Sequence, residues 1–145
     1  DPPSCGTNVI PLRMSREDLR DGYVKLMADV YTADSYFDRL DRLYLDQRLA
    51  ATHGRAPYWQ HHPWRRLQVN ASFVAEAVAA YLRLMHGIPE AELRREYRQR
   101  LWRVLRTRRE PSVLRTYAIR CAMHYHFQTL VRRMSGKPEK VINAF

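Results

Sequence analysis

Apolar residues in this chain recur at three- and four-residue spacing in five separate stretches, and none alternates apolar with polar as a half-buried strand does. That period restricts the chain to helices, each buried through one face. Ser15 has the form of an N-cap, because Arg16, Glu17 and Asp18 follow and place two acids in a first turn. The first helix is predicted to run to about Val30, with Leu19, Tyr23, Leu26, Met27 and Val30 on one face. Thr32 or Asp34 caps a second, which carries Tyr36, Phe37, Leu40, Leu43 and Tyr44 and fades near Ala51. Residues 52–64 are predicted to be a loop rich in His and aromatic groups, since Gly54, Pro57 and Pro63 interrupt the period. A third helix is predicted from about Trp64 to His86, with Gly87 at the C′ position that ends it. Pro89 suits the first turn of a fourth, running to about Thr107 with Leu93, Tyr97, Leu101, Val104 and Leu105 as its apolar face. Pro111 starts the fifth, which ends at Gly136 and has the broadest apolar surface. The expected fold is all-α, about five helices in an irregular helical bundle with no sheet. Residues 1–14 form an irregular linking segment, 15–136 the helical domain and 137–145 a fraying tail.

Composition narrows the class of protein. At 145 residues the chain is long enough for one domain with a real core, a size that buries roughly 68–70% of the unfolded surface. Hydrophobic residues at 46% and charged residues at 28% argue against disorder. The longest apolar run, Ala77–Leu82, falls far short of the ~20 residues of a membrane span. Asp1-Pro2-Pro3-Ser4-Cys5-Gly6 has neither a basic start nor an apolar stretch, so no signal peptide is expected. Cys5 and Cys121 make no disulfide framework, and a reducing cytoplasm is the default compartment.

The net charge of +10 is unevenly placed: residues 1–46 carry −3 and residues 47–145 carry +13. The cations are 22 Arg and 3 Lys, and Arg suits planar anionic partners. Its densest run is in the fourth helix and just past it, where over residues 94–109 Arg94, Arg95, Arg98, Arg100, Arg103, Arg106, Arg108 and Arg109 stand against Glu96 alone. Helical projection puts Arg95, Arg103 and Arg106 opposite the apolar face, with Trp102 and Arg109 at its edge. These five form a candidate anion or interface patch. A solvated or interdomain face is its first reading, anionic membrane or substrate contact the second. Nucleic acid is the weakest, because no nucleic-acid motif accompanies the charge.

Catalytic constellations are absent from the sequence. His124 and His126, two apart on a helix, point about 200° from each other and cannot share a metal. His61 and His62 could join His53, but no Cys or acid lies between them, and no HExxH or CxxC occurs. His86 suits the last turn of the third helix as a cap. The serines lack a nucleophile-elbow context, and the five glycines are isolated, so no phosphate loop exists. Asp38, Asp41 and Asp46 near Arg39 and Arg42 read as a solvated ion-pair face. Cys121 reads as a buried thiol. No residue is assigned as catalytic, metal-binding or cofactor-binding.

Two segments carry a resemblance. Thr7-Asn8-Val9-Ile10-Pro11-Leu12-Arg13-Met14-Ser15-Arg16-Glu17, then Leu19, Gly22-Tyr23, Leu26, Tyr31, Tyr36-Phe37 and Arg39, resemble the start of the C-terminal helical domain of cobalamin-binding radical-SAM proteins. Arg94, Tyr97, Leu101-Trp102-Arg103, Leu105, Pro111 and Tyr125-His126-Phe127 resemble its second half. The order holds over nearly the whole chain. Full-length members bind a [4Fe–4S] cluster, S-adenosylmethionine and cobalamin, and carry out radical methylations, cyclisations and related modifications. The resemblance implies a fragment of such an enzyme, with no cofactor in this chain. Two cysteines cannot build the CxxxCxxC segment of that class. Its partners would be the N-terminal radical-SAM barrel and cobalamin-binding domain of the same protein, with Asn8 nearest the barrel. The expected role is an accessory domain, inert alone, that packs on the barrel and shapes substrate access. The alternative is a free-standing basic helical module that binds acidic protein, anionic lipid or nucleic acid.

Overall fold

A computed structural model describes residues 12–49 and 55–136. Asn8, His53, most of the linking segment and the tail from residue 137 lie outside the described residues. Among the described residues six α-helices follow in order: α1 (Arg16–Val30), α2 (Ala33–Asp41), α3 (Ala56–His61), α4 (Pro63–Gly87), α5 (Ala91–Thr107) and α6 (Pro111–Gly136). A π-helical turn, Arg42–Asp46, continues α2. Among the described residues there is no strand, and the fold is all-α. No helix there is long and apolar enough to cross a membrane.

The sixth helix is α3, inside the stretch expected to be a loop. Pro57 lies in its first turn and Pro63 opens α4, positions where a missing N–H costs nothing. These prolines start helices and do not interrupt them. Gly87 is the last residue of α4 and not a left-handed C′ residue. Ile88 caps the helix in extended backbone (ψ 117°), the conformation a following proline favours, and its side chain is buried. Pro89 accordingly precedes the α5 cap, Glu90, and stands outside the first turn.

Ser15 caps α1 as expected: its Oγ accepts from Asp18 N–H at 3.0 Å, and Asp18 Oδ2 accepts from Ser15 N–H at 3.3 Å. Between Thr32 and Asp34, Thr32 is the residue whose hydroxyl accepts at the start of α2, from Ser35 N–H at 3.4 Å. The second helix stops well short of Ala51. The π turn ends it, and Arg48 then takes φ 50°, in the left-handed region.

The chain forms two compact units, one made of residues up to Tyr36 and from His124 onward, the other of Phe37–Met123. In the first, α1 has no buried residue, and Tyr23 and Leu26 of its predicted apolar face are exposed. The order of this unit lies in rings: Tyr31 stacks on Phe127 (centroids 4.6 Å apart), and Tyr36 meets His124 at 5.0 Å. His124 is fully buried, with Nε2 3.2 Å from the Tyr31 carbonyl oxygen. In the second unit Phe37, Tyr97, Val104, Tyr117, Ala118 and Cys121 form the centre, with Phe37 edge-on to Tyr97 at 5.7 Å.

Candidate functional site

Helix α5 presents three strips, each in different surroundings. Leu93, Tyr97, Leu101 and Val104, at i, i+4, i+8 and i+11, are buried. One flank turns Arg100 and Arg103 toward Asp41. Arg103 Nη1 donates to Asp41 Oδ2 at 2.7 Å, Arg100 Nη1 reaches the same oxygen at 3.5 Å, and Tyr117 OH donates to Oδ1 at 2.6 Å. Asp41 is therefore not part of a solvated ion-pair face. It is buried, and three donors offset the cost of removing its charge from water. Arg103 belongs to this network, so the five-residue patch divides: Arg103 lies on one flank of α5 and Trp102 on the other.

Arg108, counted above with the cationic stripe, is also buried. Its Nη1 donates to the Tyr44 carbonyl oxygen at 2.8 Å, while Nε and Nη2 grip Glu110 at 2.8 and 3.1 Å. The Arg108 hydrogen bonds hold the Glu110 carboxyl below the usual carboxylate range. The bond to the Tyr44 carbonyl ties the turn between α5 and α6 to the π turn, and the two bonds to Glu110 brace that turn internally.

The other flank of α5 borders an open apolar cleft of about 520 Å³. Trp102 and Leu105 form one wall with Arg98 at the rim, Val78 and Tyr81 of α4 form the other, and Leu114 and Ala118 of α6 lie at the floor. Trp102 is 54% exposed, and the Arg106 guanidinium sits 4.9 Å from its ring centroid. Arg95, Arg98 and Arg109 are exposed and pair with no carboxylate among the described residues. The apolar surface continues along α4, where Trp64, Leu67, Val74 and Leu82 are exposed.

A smaller cavity of about 310 Å³ lies where α3 meets α4 and the start of α6, lined by Trp59, Arg66, Asn70, Phe73 and Ser112. It accounts for part of the His/aromatic stretch. Tyr58 packs on His62 at 4.4 Å, and His61, His62 and His86 face solvent. Among the described residues no three His, Cys, Asp or Glu side chains converge as a metal site would need.

Burial pushes both the Cys121 thiol and the Tyr117 phenol up, so each keeps its proton at neutral pH and neither is an activated nucleophile. Arg98 and the Trp102 indole, with Arg106 over its ring, stand at the mouth of an apolar cleft. Such a surface offers contact area to apolar groups and charge to anionic ones.

Sequence reasoning missed the Asp41 network, although a signal existed. Asp41 stands four residues after Phe37 and one after Leu40, on the apolar face of α2, where a solvated acid has no place. The cleft is half legible in the sequence, through Trp102, whereas no local signal marks Val78 and Tyr81 of α4 as its other wall.

No curated protein and no solved structure matches the chain. One family model does, over residues 3–140, described as Domain of unknown function (DUF4070). That span takes in both units, the Asp41 network and the cleft, and the chain belongs to the DUF4070 family.

Proposed function

We propose that this chain is an accessory helical domain of a cobalamin-dependent radical-SAM enzyme, non-catalytic by itself, which packs on the barrel of that enzyme and shapes substrate access. The resemblance of residues 7–39 and 94–127 supplies the enzyme class. The observation that carries the packing role is the apolar cleft flanked by α4 and α5, with Trp102 half out of it. A contiguous apolar surface of this kind on a stable domain marks a surface that is covered in the working protein. The [4Fe–4S] cluster, S-adenosylmethionine and cobalamin belong to the rest of such an enzyme. The cluster does not fit the residues here: it takes several thiolates, the chain has two cysteines, and Cys121, the one among the described residues, is buried and protonated. On this reading Asn8 is nearest the barrel, and the cytoplasm is the compartment.

The test is made on the full-length parent enzyme, purified without oxygen, beside the isolated chain. Hydrogen exchange and labelling of a Trp102→Cys variant report access to the cleft. The expected result is strong protection in the parent and ready labelling of the isolated chain. A Trp102→Glu/Leu105→Glu parent should keep its cluster and cobalamin yet lose turnover. Equal labelling of the cleft in both contexts overturns the packing role.

A further inference from the structure

The exposed row on α4 has a period of its own. Trp64, Leu67, Ala71, Val74 and Val78 are all exposed and follow one another at steps of three, four, three and four, and Tyr81 continues the row half-buried at the cleft wall. Steps of this kind average 3.5 residues, the period that keeps one seam of a helix facing a second helix along its length. The row spans about 26 Å of helix at 1.5 Å per residue. A flat or globular partner requires no such period.

Charge on the two sides of the row differs. On the side away from the cleft the neighbouring positions are Gln68, Ala75 and Leu82, none of them charged. On the cleft side α5 shows Arg98 at the rim and Arg95 seven residues before Trp102 on the same strip, with Arg109 just beyond the end of the helix, all exposed and unpaired with any carboxylate among the described residues. A second copy of this chain would bring the same cations against these, and its net charge is +10.

We propose that this face receives an amphipathic helix, its apolar residues at heptad spacing against α4 and its Asp or Glu residues along the flank that meets α5. The proposal rests on the reading of the cleft face as an interface, and it names the chemistry of what covers it. The arginine flank sets the orientation of the helix, and the apolar row supplies the contact area.

The probe is a synthetic helical peptide of about three heptads with Leu at the seam positions and Glu on one flank, compared with the same peptide carrying Lys in place of Glu. Binding to the full chain is read by anisotropy of a labelled peptide and by the NMR signal of the Trp102 indole. The expected result is saturable binding of the Glu peptide that shifts the Trp102 signal, with the Lys peptide weaker by at least about tenfold. An Arg95→Glu/Arg98→Glu variant, altered only at exposed positions, should reverse the preference. Three results overturn the proposal: no binding of the Glu peptide, equal binding of both peptides, or self-association of the chain that protects Trp102 without peptide. Preferential shift of the Trp102 signal by vesicles of anionic phospholipid overturns it as well. If the cleft is protected in the parent enzyme while the Glu peptide fails, the helix assignment falls and the packing role stands. If the peptide binds while the parent leaves the cleft open, the packing role falls and the helix-binding face stands.

Discussion

Tyr117 donates to Asp41 Oδ1 at 2.6 Å, and both residues are buried. Tyr117→Phe removes only the donor and leaves a buried carboxylate oxygen short of a partner, a change that costs about 1–3 kcal/mol. Urea unfolding should show that loss with an unchanged dependence on denaturant concentration; a loss below a few tenths of a kcal/mol would mean that water replaces the phenol. His124 gives a pH-dependent counterpart. Burial holds its imidazole below the ordinary histidine value, the Tyr31 carbonyl opposes that, and the Arg132 charge adds to it. With the folded value depressed, the unfolded chain takes up the proton first as pH falls. The contribution is therefore complete above about pH 6.5, the ordinary value, and is lost as pH falls through the folded one. The melting temperature should drop from pH 7 to pH 5, and a His124→Gln variant, which cannot titrate, should show a flatter profile over the same range. Equal slopes would remove His124 as the cause. Neither residue could be assigned its role from the sequence, because Tyr and His fit a helix face equally well buried or wet. Only the positions of Asp41 and Tyr31, 76 and 93 residues away along the chain, decide the matter.

Helix boundaries were legible wherever a local rule fixes them. Ser15 with Asp18, and Pro111 at the start of α6, depend on residues within one turn, and the structure has them as read. The errors arose where the outcome depends on distant packing. Gly87 could have ended α4 in the left-handed conformation, but Ile88 is drawn into the core and the chain leaves in extended form. The π turn after α2 likewise has no local signature in Arg42–Asp46. Arg108 supports it from the other side of the unit, through the bond to the Tyr44 carbonyl. Arg108→Ala should therefore destabilise the fold by about 2–3 kcal/mol, the range for a lost charge-assisted bond plus an unpaired buried carbonyl. Arg109→Ala, one residue on and exposed, should change stability by less than about 0.5 kcal/mol. Thermal unfolding of the two variants side by side checks the contrast. Similar losses would show that the Tyr44 bond does not hold the turn. The same pair shows why a count of arginines misled: adjacent residues of one type take opposite roles once the helix ends between buried and open ground.

At the scale of the whole chain, the two compact units differ in how much they bury. The unit of Phe37–Met123 holds most of the fully buried side chains, among them Phe37, Tyr97, Val104, Tyr117 and Cys121. The other unit has no buried residue in α1, and its order depends on the rings of Tyr31, Tyr36, His124 and Phe127. Segments with few buried apolar contacts open at low free energy, and those at a core open only with global unfolding. Helix α6 crosses the division between Met123 and His124, so a single helix samples both regimes. Amide exchange in the isolated chain should thus be fastest in α1 and slowest around Tyr97 to Val104 of α5. Within α6, amides near Tyr117 to Cys121 should outlast those near Val131 to Ser135, although the helix is continuous. Uniform protection along α6 would show that the two units open together. A parent enzyme whose barrel covers the cleft should slow exchange in α4 and α5 further, and α1, if nothing covers its exposed Tyr23 and Leu26, should stay fast. Selective slowing at the cleft separates a domain held through that face from one tethered only by its linking segment, for which exchange in α4 and α5 would match the isolated chain.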